Sequence, residues 1–221
     1  MKITKITTEV KYIELKTPFK TALRETSHVE FVRVHVEDEN GYVGIGEAPA
    51  TKAITGEDIE IILNSIESVK ERFLGLTCKE ALELLHATCN IGSSAKAALD
   101  TAFISLHVKQ TNQTMQSYFG INNLTPLRTD VTISLNPTDI MLEDAKKAYH
   151  EGMDILKVKV GSDALHAVDI VRDISKELPS CKILVDANQA WDFDSTLLFI
   201  KNMLDIKVEL IEQPVIASDT Q

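Results

Sequence analysis

One pattern repeats from Thr125 onward: a short run of β-branched and aliphatic residues, a turn, and then a helical stretch. Four residues that mark these runs, Thr132, Lys157, Asp186 and Glu212, are separated by 25, 29 and 26 positions. This spacing is typical of successive βα units, which set their strands side by side in a parallel sheet or barrel. The repeat therefore predicts a parallel βα architecture for the second half of the chain.

The first 124 residues have a different texture, in which strands come first and helices follow. A turn at Asp38-Glu39-Asn40-Gly41 lies within the strand region, and after residue 55 the apolar period becomes helical. The predicted strands are Ile3–Leu15, Val29–Val36 and Tyr42–Ile45. The predicted helices are Asp58–Phe73, one opened by a capping box at Thr77 and Glu80, and one from Ser93 or Ser94 to about Val108. In the last helix, a closely packed face is predicted at Ala95, Ala98, Ala102 and Leu106. Strands followed by helices predict an α+β domain.

The composition is that of an ordinary globular protein and argues against several classes of partner. With 221 residues, 44% of them hydrophobic, the chain is long enough to bury a core and is not expected to be disordered. It has no apolar run that would span a bilayer, and its first residues lack the apolar segment of a signal peptide. A net charge of −10 disfavours nucleic acid and anionic membrane surfaces. Three cysteines without an export signal indicate free thiols, so a soluble, cytoplasmic protein is expected.

Charged residues stand where the strands of the second half end. Lys157 and Lys159 close one strand and lie on one face, because strand side chains alternate with a period of two. Asp186 ends the next strand and Glu212 the one after it. Active sites gather at the carboxyl ends of parallel strands, so these four side chains are expected to face a common centre. Two carboxylates suit a magnesium-like ion, and two neighbouring lysines are expected to lower the pKa of one of them.

Each of these motifs also has a simpler interpretation. Lys-Val-Lys at 157–159 is common at solvated strand ends, Asp-Ala-Asn at 186–188 is common in N-caps and Asx turns, and Glu-Gln-Pro at 212–214 ends a strand. A site is favoured because order, strand-end position and spacing coincide. A metal ion beside a lysine base would remove a proton next to a carboxylate, since the metal neutralises the charge that develops on the oxygens.

With these motifs the chain resembles the enolase superfamily, and within it the muconate-cycloisomerase-like subgroup, whose sites combine a lysine base with Mg²⁺. Residues 157–159 match the family's Lys-x-Lys, and Asp-Ala-Asn-Gln-Ala-Trp at 186–191 is similar to Asp-Ala-Asn-x-Gly-Trp. Ala190 replaces the glycine of that motif, a departure expected to alter only a turn. The resemblance implies an α+β capping domain at 1–124, followed at 125–221 by the first half of a (β/α) TIM-like barrel.

The resemblance also implies a role for each strand-end residue. Lys159 would abstract the α-proton on one face of the substrate, and Lys157 would bind the substrate carboxylate and the enediolate formed from it. Asp186 and Glu212 would hold Mg²⁺. Asn188 is a further candidate, for a supporting contact behind these residues.

A closer resemblance is to the dipeptide epimerases, typified by the L-Ala-D/L-Glu epimerases. Residues 19–24 (Phe-Lys-Thr-Ala-Leu-Arg) look like their first capping-domain loop, and 46–49 with 54–57 look like their second. This likeness implies that Arg24 binds a substrate carboxylate, which suits a bidentate donor, and that Thr132 contacts substrate. Without it, Arg24 is equally well a surface arginine and Thr132 an ordinary strand residue. The expected partner is a dipeptide, with no nucleic acid or membrane and with a homo-oligomer left open.

The family pattern contains elements that this sequence does not show. The third carboxylate, the opposite-face lysine and an Asp-x-Asp motif belong to later strands, so the chain is expected to be a fragment, or to be completed by another polypeptide. Epimerisation of dipeptides is the leading prediction. A cycloisomerase or o-succinylbenzoate synthase of the same superfamily is the nearest alternative in chemistry. A truncated remnant without turnover is the alternative from another class.

Overall fold

The computed structural model describes residues 1–20, 25–88 and 90–219. These residues form two compact units, of which the first comprises Met1–Leu15 and His28–Thr125. The second comprises Lys16–Ser27 and Pro126–Gln221. The division at residues 125 and 126 lies where the sequence changes from strands followed by helices to strands and helices in alternation. The segment Lys16–Ser27 is grouped with the second unit, whereas the predicted division at 124 assigns it to the first.

A three-stranded sheet in the order β1-β2-β3 lies mainly in the first unit, and β2 and β3 are antiparallel. The strands are β1 (Ile3–Lys20), β2 (Glu25–Asp38) and β3 (Val43–Pro49). The predicted turn is confirmed, because the Asp38 carboxylate accepts hydrogen bonds from the backbone N–H groups of Asn40 and Tyr42 at 2.9 and 3.0 Å. Gly41 has a φ of 82°, a left-handed conformation that glycine adopts without steric cost. The three predicted strands are correct but shorter than the observed ones.

The helices of the first unit follow the sheet in sequence. They are α1 (Lys52–Thr55), α2 (Ile59–Val69) with a 3₁₀ turn at Lys70–Phe73, α3 (Cys78–Thr88), α4 (Ser93–Gln110) and α5 (Met115–Tyr118). The capping box is confirmed, since the Glu80 carboxylate accepts from the Thr77 N–H at 2.8 Å and the Thr77 hydroxyl accepts from the Glu80 N–H at 3.3 Å. Phe73 and Phe103, both fully buried, pack in the core with ring centroids 5.0 Å apart.

The second unit contains four parallel strands in the order β4-β5-β6-β7. Its strands and helices alternate as β4 (Val131–Ile133), α6 (Thr138–His150), β5 (Ile155–Lys159), α7 (Ala164–Glu177), β6 (Lys182–Asp186), α8 (Phe193–Asn202) and β7 (Val208–Glu212). The predicted βα repeat is therefore confirmed. Leu156, Val158, Ile183 and Val185 are buried in a core with residues of the three helices. Their strand neighbours alternate to the other face, and this alternation presents the charged residues there.

Among the described residues, none of the helices combines the length and the apolar character that crossing a bilayer requires.

Candidate active site

Lys157 and Lys159 lie at the carboxyl end of β5, and Asp186 and Glu212 end the two strands that follow it. The parallel register pairs Lys159 with Asp186, and Asp186 with Glu212. Residues paired in this way project from the same face of a sheet. The structure thus brings together the four charged residues that the sequence predicted: register aligns three of them, and Lys157, which is paired with Leu184, lies on the same face of the sheet.

The side chains form one hydrogen-bonded network centred on Asp186. Its Oδ2 accepts from Lys159 Nζ at 2.5 Å and lies 3.1 Å from Lys157 Nζ. Lys157 Nζ also lies 2.6 Å from Glu212 Oε2, so this ammonium group stands between two carboxylates. Lys159 Nζ has a second acceptor in Asn188 Oδ1, at 3.1 Å. The network is most enclosed at Asp186, whose side chain is 1% exposed, and at Lys159, whose side chain is 8% exposed.

These contacts change the proton affinities of the groups involved. Burial opposes the charge on Asp186, but hydrogen bonds from Lys159, from the Asn188 N–H and from Lys157 outweigh it and lower the pKa of Asp186. Burial likewise opposes the charge on Lys157, while hydrogen bonds to Glu212 and Asp186 raise its pKa overall. Of the two lysines, Lys157 is thus not the one whose pKa is lowered. Its carboxylate partners are in direct contact and outweigh the effect of burial.

An unusual backbone conformation follows the strand ends. Asn188, Gln189 and Gln213 have φ values of 49°, 66° and 43°, in the left-handed region that residues with a Cβ seldom adopt. The Gln189 N–H donates to the Gln213 carbonyl at 2.7 Å, which joins the two strained turns. The Asn188 N–H donates to Asp186 Oδ1 at 2.9 Å. Backbone conformations of this kind are concentrated at functional sites, and here Asn188 is also the residue whose Oδ1 accepts a hydrogen bond from Lys159 Nζ.

Ala190, which replaces the glycine of the family motif, does not share this conformation. Its φ is not positive, so alanine is accommodated without strain. Trp191, at the end of the motif, is 4% exposed and its Nε1–H donates to the Gly161 carbonyl at 2.8 Å. The tryptophan therefore packs in the core of the unit and anchors the loop that follows β5.

Thr132 lies on the neighbouring strand β4 and is paired in register with Lys157. It also lines a cavity of about 320 Å³ together with Phe19, Ser134 and Asn136. Thr132 is thus on the same face as Lys157 and next to it. Arg24, the other predicted substrate-binding residue, lies outside the described residues, as do 21–23 of the loop to which it belongs.

Phe19 is a residue of this site that the sequence did not single out. Its ring centroid lies 5.8 Å from Lys159 Nζ, within the range of a cation–π interaction. The segment is held next to the sheet because the Lys20 carbonyl accepts a hydrogen bond from the Leu135 N–H at 3.2 Å. Phe19 stands at the start of the loop motif 19–24, and that motif was the one available signal. Because Phe19 and Lys159 are 140 positions apart in the sequence, no local periodicity predicts their contact.

The donor set fits a hard divalent cation. Asp186 and Glu212 are adjacent in register and already share one cation, the Lys157 ammonium group. Magnesium is commonly held by one or two protein carboxylates, with water and substrate oxygens completing the coordination sphere. In the part of the chain that the structure describes, no group of three or more His, Cys, Asp or Glu residues is arranged to hold a metal ion. The two carboxylates are thus the ligands that these residues offer.

Comparison with known families matches both halves of the chain. Residues 2–120 match the mandelate racemase / muconate lactonizing enzyme N-terminal domain, and residues 140–221 match the enolase C-terminal domain-like family. The chain belongs to the mandelate racemase / muconate lactonizing enzyme family of the enolase superfamily. The predicted fold class, a capping domain followed by part of a barrel, is confirmed by this membership and by the structural neighbours.

Several relatives within this superfamily are named as epimerases. The chain is 66% identical over 215 residues to the L-amino acid-D/L-Glu epimerase of Sulfurimonas denitrificans, covering 97% of this chain and 63% of that protein. It is 36% identical over 228 residues to the L-Ala-D/L-Glu epimerase of Bacillus subtilis, covering 99% of this chain and 62% of that protein. The chain thus spans a little under two thirds of the length of these relatives.

Solved structures of two such relatives have the same fold. A substrate-liganded complex of the Bacillus subtilis L-Ala-D/L-Glu epimerase superposes with a TM-score of 0.92 at 33% identity, over 99% of this chain and 63% of that one. The dipeptide epimerase of Enterococcus faecalis, complexed with Mg and L-Leu-L-Tyr, superposes with a TM-score of 0.92 at 29% identity and the same coverage.

Proposed function

We propose that this site takes part in Mg²⁺-dependent epimerisation of dipeptides by α-proton transfer. The observation that supports the proposal is the network of Lys157, Lys159, Asp186 and Glu212 at one edge of a parallel sheet. Relatives named as epimerases favour this chemistry over a cycloisomerase or an o-succinylbenzoate synthase, which would use the same lysines and carboxylates.

The two lysines are suited to different tasks. The family resemblance assigns Lys157 to the substrate carboxylate, a task that suits an ammonium group next to Thr132 on the same face of the sheet. Lys159 is then the base. In its neutral form, Nζ takes the α-proton, and the electron pair of the C–H bond moves into the carboxylate to give an enediolate. Asp186 and Asn188 hold Nζ in place, which supplies the orientation that proton transfer requires.

Asp186 and Glu212 would hold the metal ion. When bound, Mg²⁺ supplies positive charge that stabilises the oxygens of the deprotonated substrate. Thr132, beside Lys157, is placed in this proposal at the substrate, and Arg24 is assigned to a substrate carboxylate by the family resemblance. The proton donor to the opposite face is expected from the family's sixth barrel strand. Return of a proton there completes the inversion.

The base is tested by substituting Lys159→Ala and following exchange of the dipeptide α-proton with solvent deuterium by NMR. We expect exchange from one stereoisomer to fall at least about 100-fold, because a positioned base contributes about 10²–10⁴-fold. Lys182→Ala, which removes an exposed lysine from the same sheet, should leave exchange from both stereoisomers unchanged. Equal exchange from both stereoisomers in the Lys159→Ala protein would show that this lysine is not the base.

A further inference from the structure

The position of the Lys157 ammonium group conflicts with that of a metal ion. Nζ lies 3.1 Å from Asp186 Oδ2 and 2.6 Å from Glu212 Oε2. It therefore occupies the space between the two carboxylates that would ligate the metal. Lys159 differs, since it donates hydrogen bonds to Asp186 and Asn188 and not to Glu212.

Charge balance points in the same direction. The two lysines carry two positive charges and the two carboxylates carry two negative charges, so the network is neutral without a metal. A divalent ion ligated at about 2.0–2.1 Å by the same oxygens would meet an ammonium group at hydrogen-bond distance from both. Two such cations repel one another strongly where solvent is partly excluded, so they do not share both carboxylates.

The burial of the side chains indicates which of the two lysines a metal ion would displace. The side chains of Asp186 and Lys159 are 1% and 8% exposed, and their contact is enclosed. The side chains of Lys157 and Glu212 are 21% and 36% exposed, which leaves both of them an open side. A four-carbon lysine chain with an open side can swing away, whereas an enclosed one cannot do so without disturbing its neighbours.

We propose that Lys157 is an exchangeable internal counter-ion of the metal site. In the metal-free protein it holds Asp186 and Glu212 together, and Mg²⁺ displaces it from both carboxylates. The released ammonium group is then available to an anionic substrate, so metal binding precedes tight binding of the substrate carboxylate. This inference rests on the proposed function, because it takes Asp186 and Glu212 as the metal ligands.

The test is titration of the metal-free protein with Mg²⁺ by calorimetry, together with thermal unfolding in the absence of metal. Lys157→Met keeps a chain of similar length and removes the charge. We expect a lower unfolding temperature without metal, because the two carboxylates lose their partner. We also expect Mg²⁺ to bind about tenfold more tightly, since no competing cation remains. A lysine with a purely structural role would give weaker metal binding, so the two effects separate the explanations.

The matched control is Lys182→Met, a change of the same kind at the exposed start of β6, which should leave Mg²⁺ affinity unaltered. Unchanged or weaker Mg²⁺ binding by the Lys157→Met protein would overturn the displacement while leaving the metal site in place. If the unsubstituted protein binds no Mg²⁺, and Asp186→Asn behaves identically, the metal site and the displacement are both wrong.

A second measurement does not depend on a variant that folds. NMR spectra of the unsubstituted protein labelled with ¹³C-lysine report the ε-methylene group of each lysine. On saturation with Mg²⁺, the Lys157 signal should shift and that of Lys182 should not. A Lys157 signal that does not move at saturation would contradict the displacement.

Discussion

At the scale of single residues, the chemistry of this protein depends on which charged groups are in contact, and sequence specifies that only in part. Lys157 and Lys159 are two positions apart, and their shared face follows from strand periodicity. The difference between the two lysines does not follow from periodicity, because it comes from Glu212, which contacts Lys157 at 2.6 Å. The pKa of Lys157 is raised, so Lys157 is not the lysine for which the motif predicted a lowered pKa. The nearest opposite charge decided the outcome.

A prediction at this scale concerns Cys78, which is 1% exposed. Burial, followed by the nearby charge of Asp38, raises the pKa of its thiol to about 11. The reactive thiolate should therefore be scarce at pH 8, about one part in a thousand, and iodoacetamide should modify this residue only when the protein unfolds. Cys181 is half-buried and serves as the internal comparison.

Mass spectrometry after a short pulse of reagent measures both cysteines in one sample, and similar modification of the two would contradict the burial argument. The same shift has a consequence for stability. The unfolded chain ionises at the ordinary thiol pKa of 9.0, before the folded protein does, so folding stability should decline as pH rises from 9.0 towards about 11.

At the scale of elements, the first unit depends on the close approach of β3 to α4. A Cβ added at Gly46 would lie 1.9 Å from the Ala98 carbonyl oxygen, and one added at Gly44 would lie 2.1 Å from the Ala102 carbonyl oxygen. The alanine face predicted for α4 is confirmed, since Ala95, Ala98, Ala102 and Leu106 are fully buried. Its partner was not predicted, because a glycine in a strand does not show which helix it contacts.

Substitution of Gly46→Ala should accordingly destabilise the protein by about 1–3 kcal/mol, because the obstructing atom belongs to the backbone and the strand must move away from the helix. Chemical denaturation measures the change. Gly161→Ala is the matched control: its added Cβ would meet the Leu135 side chain at 3.6 Å, an ordinary contact, so the stability should hardly change. Equal effects of the two substitutions would show that the close approach is not what limits residue 46.

The N-terminus of α4 shows a similar dependence on distant residues. No side chain at its N-cap, Gly92, closes the helix. Instead the Glu57 carboxylate, 3% exposed, accepts hydrogen bonds from the N–H groups of Ser94 and Ala95 at 2.7 and 3.3 Å. An anion there also interacts favourably with the helix dipole. The helix start predicted at Ser93 or Ser94 is confirmed, while the residue that caps it, Glu57, lies 37 positions before Ser94 in the sequence.

At the scale of the whole molecule, each unit has a hydrophobic core of its own. Phe103 is fully buried in the first core and Phe199 in the second. Replacing either by alanine should cost about 3–5 kcal/mol, through lost contacts and a residual cavity. Amide hydrogen exchange, read by mass spectrometry, should show reduced protection in the unit that carries the substitution. Reduced protection confined to the other unit would contradict this assignment of the cores.

Much of the architecture at this scale was predictable. The βα repeat and the charged residues that end its strands were predicted, because turns, caps and apolar periods are local signals. The grouping of Lys16–Ser27 with the second unit was not, since an extended segment carries no mark of where it packs. The same is true of Phe19, whose ring lies near Lys159.

The sequence by itself determined the order of elements, the fold class and the identity of the charged residues at the strand ends. Each of these follows from residues that are neighbours along the chain or recur at a fixed period. Only the tertiary structure decided that Lys157 stands between Asp186 and Glu212, that Lys159 is enclosed with Asn188, and that Glu57 caps a remote helix. Those pairings depend on strand register and burial, which bring together atoms that the chain keeps tens of residues apart.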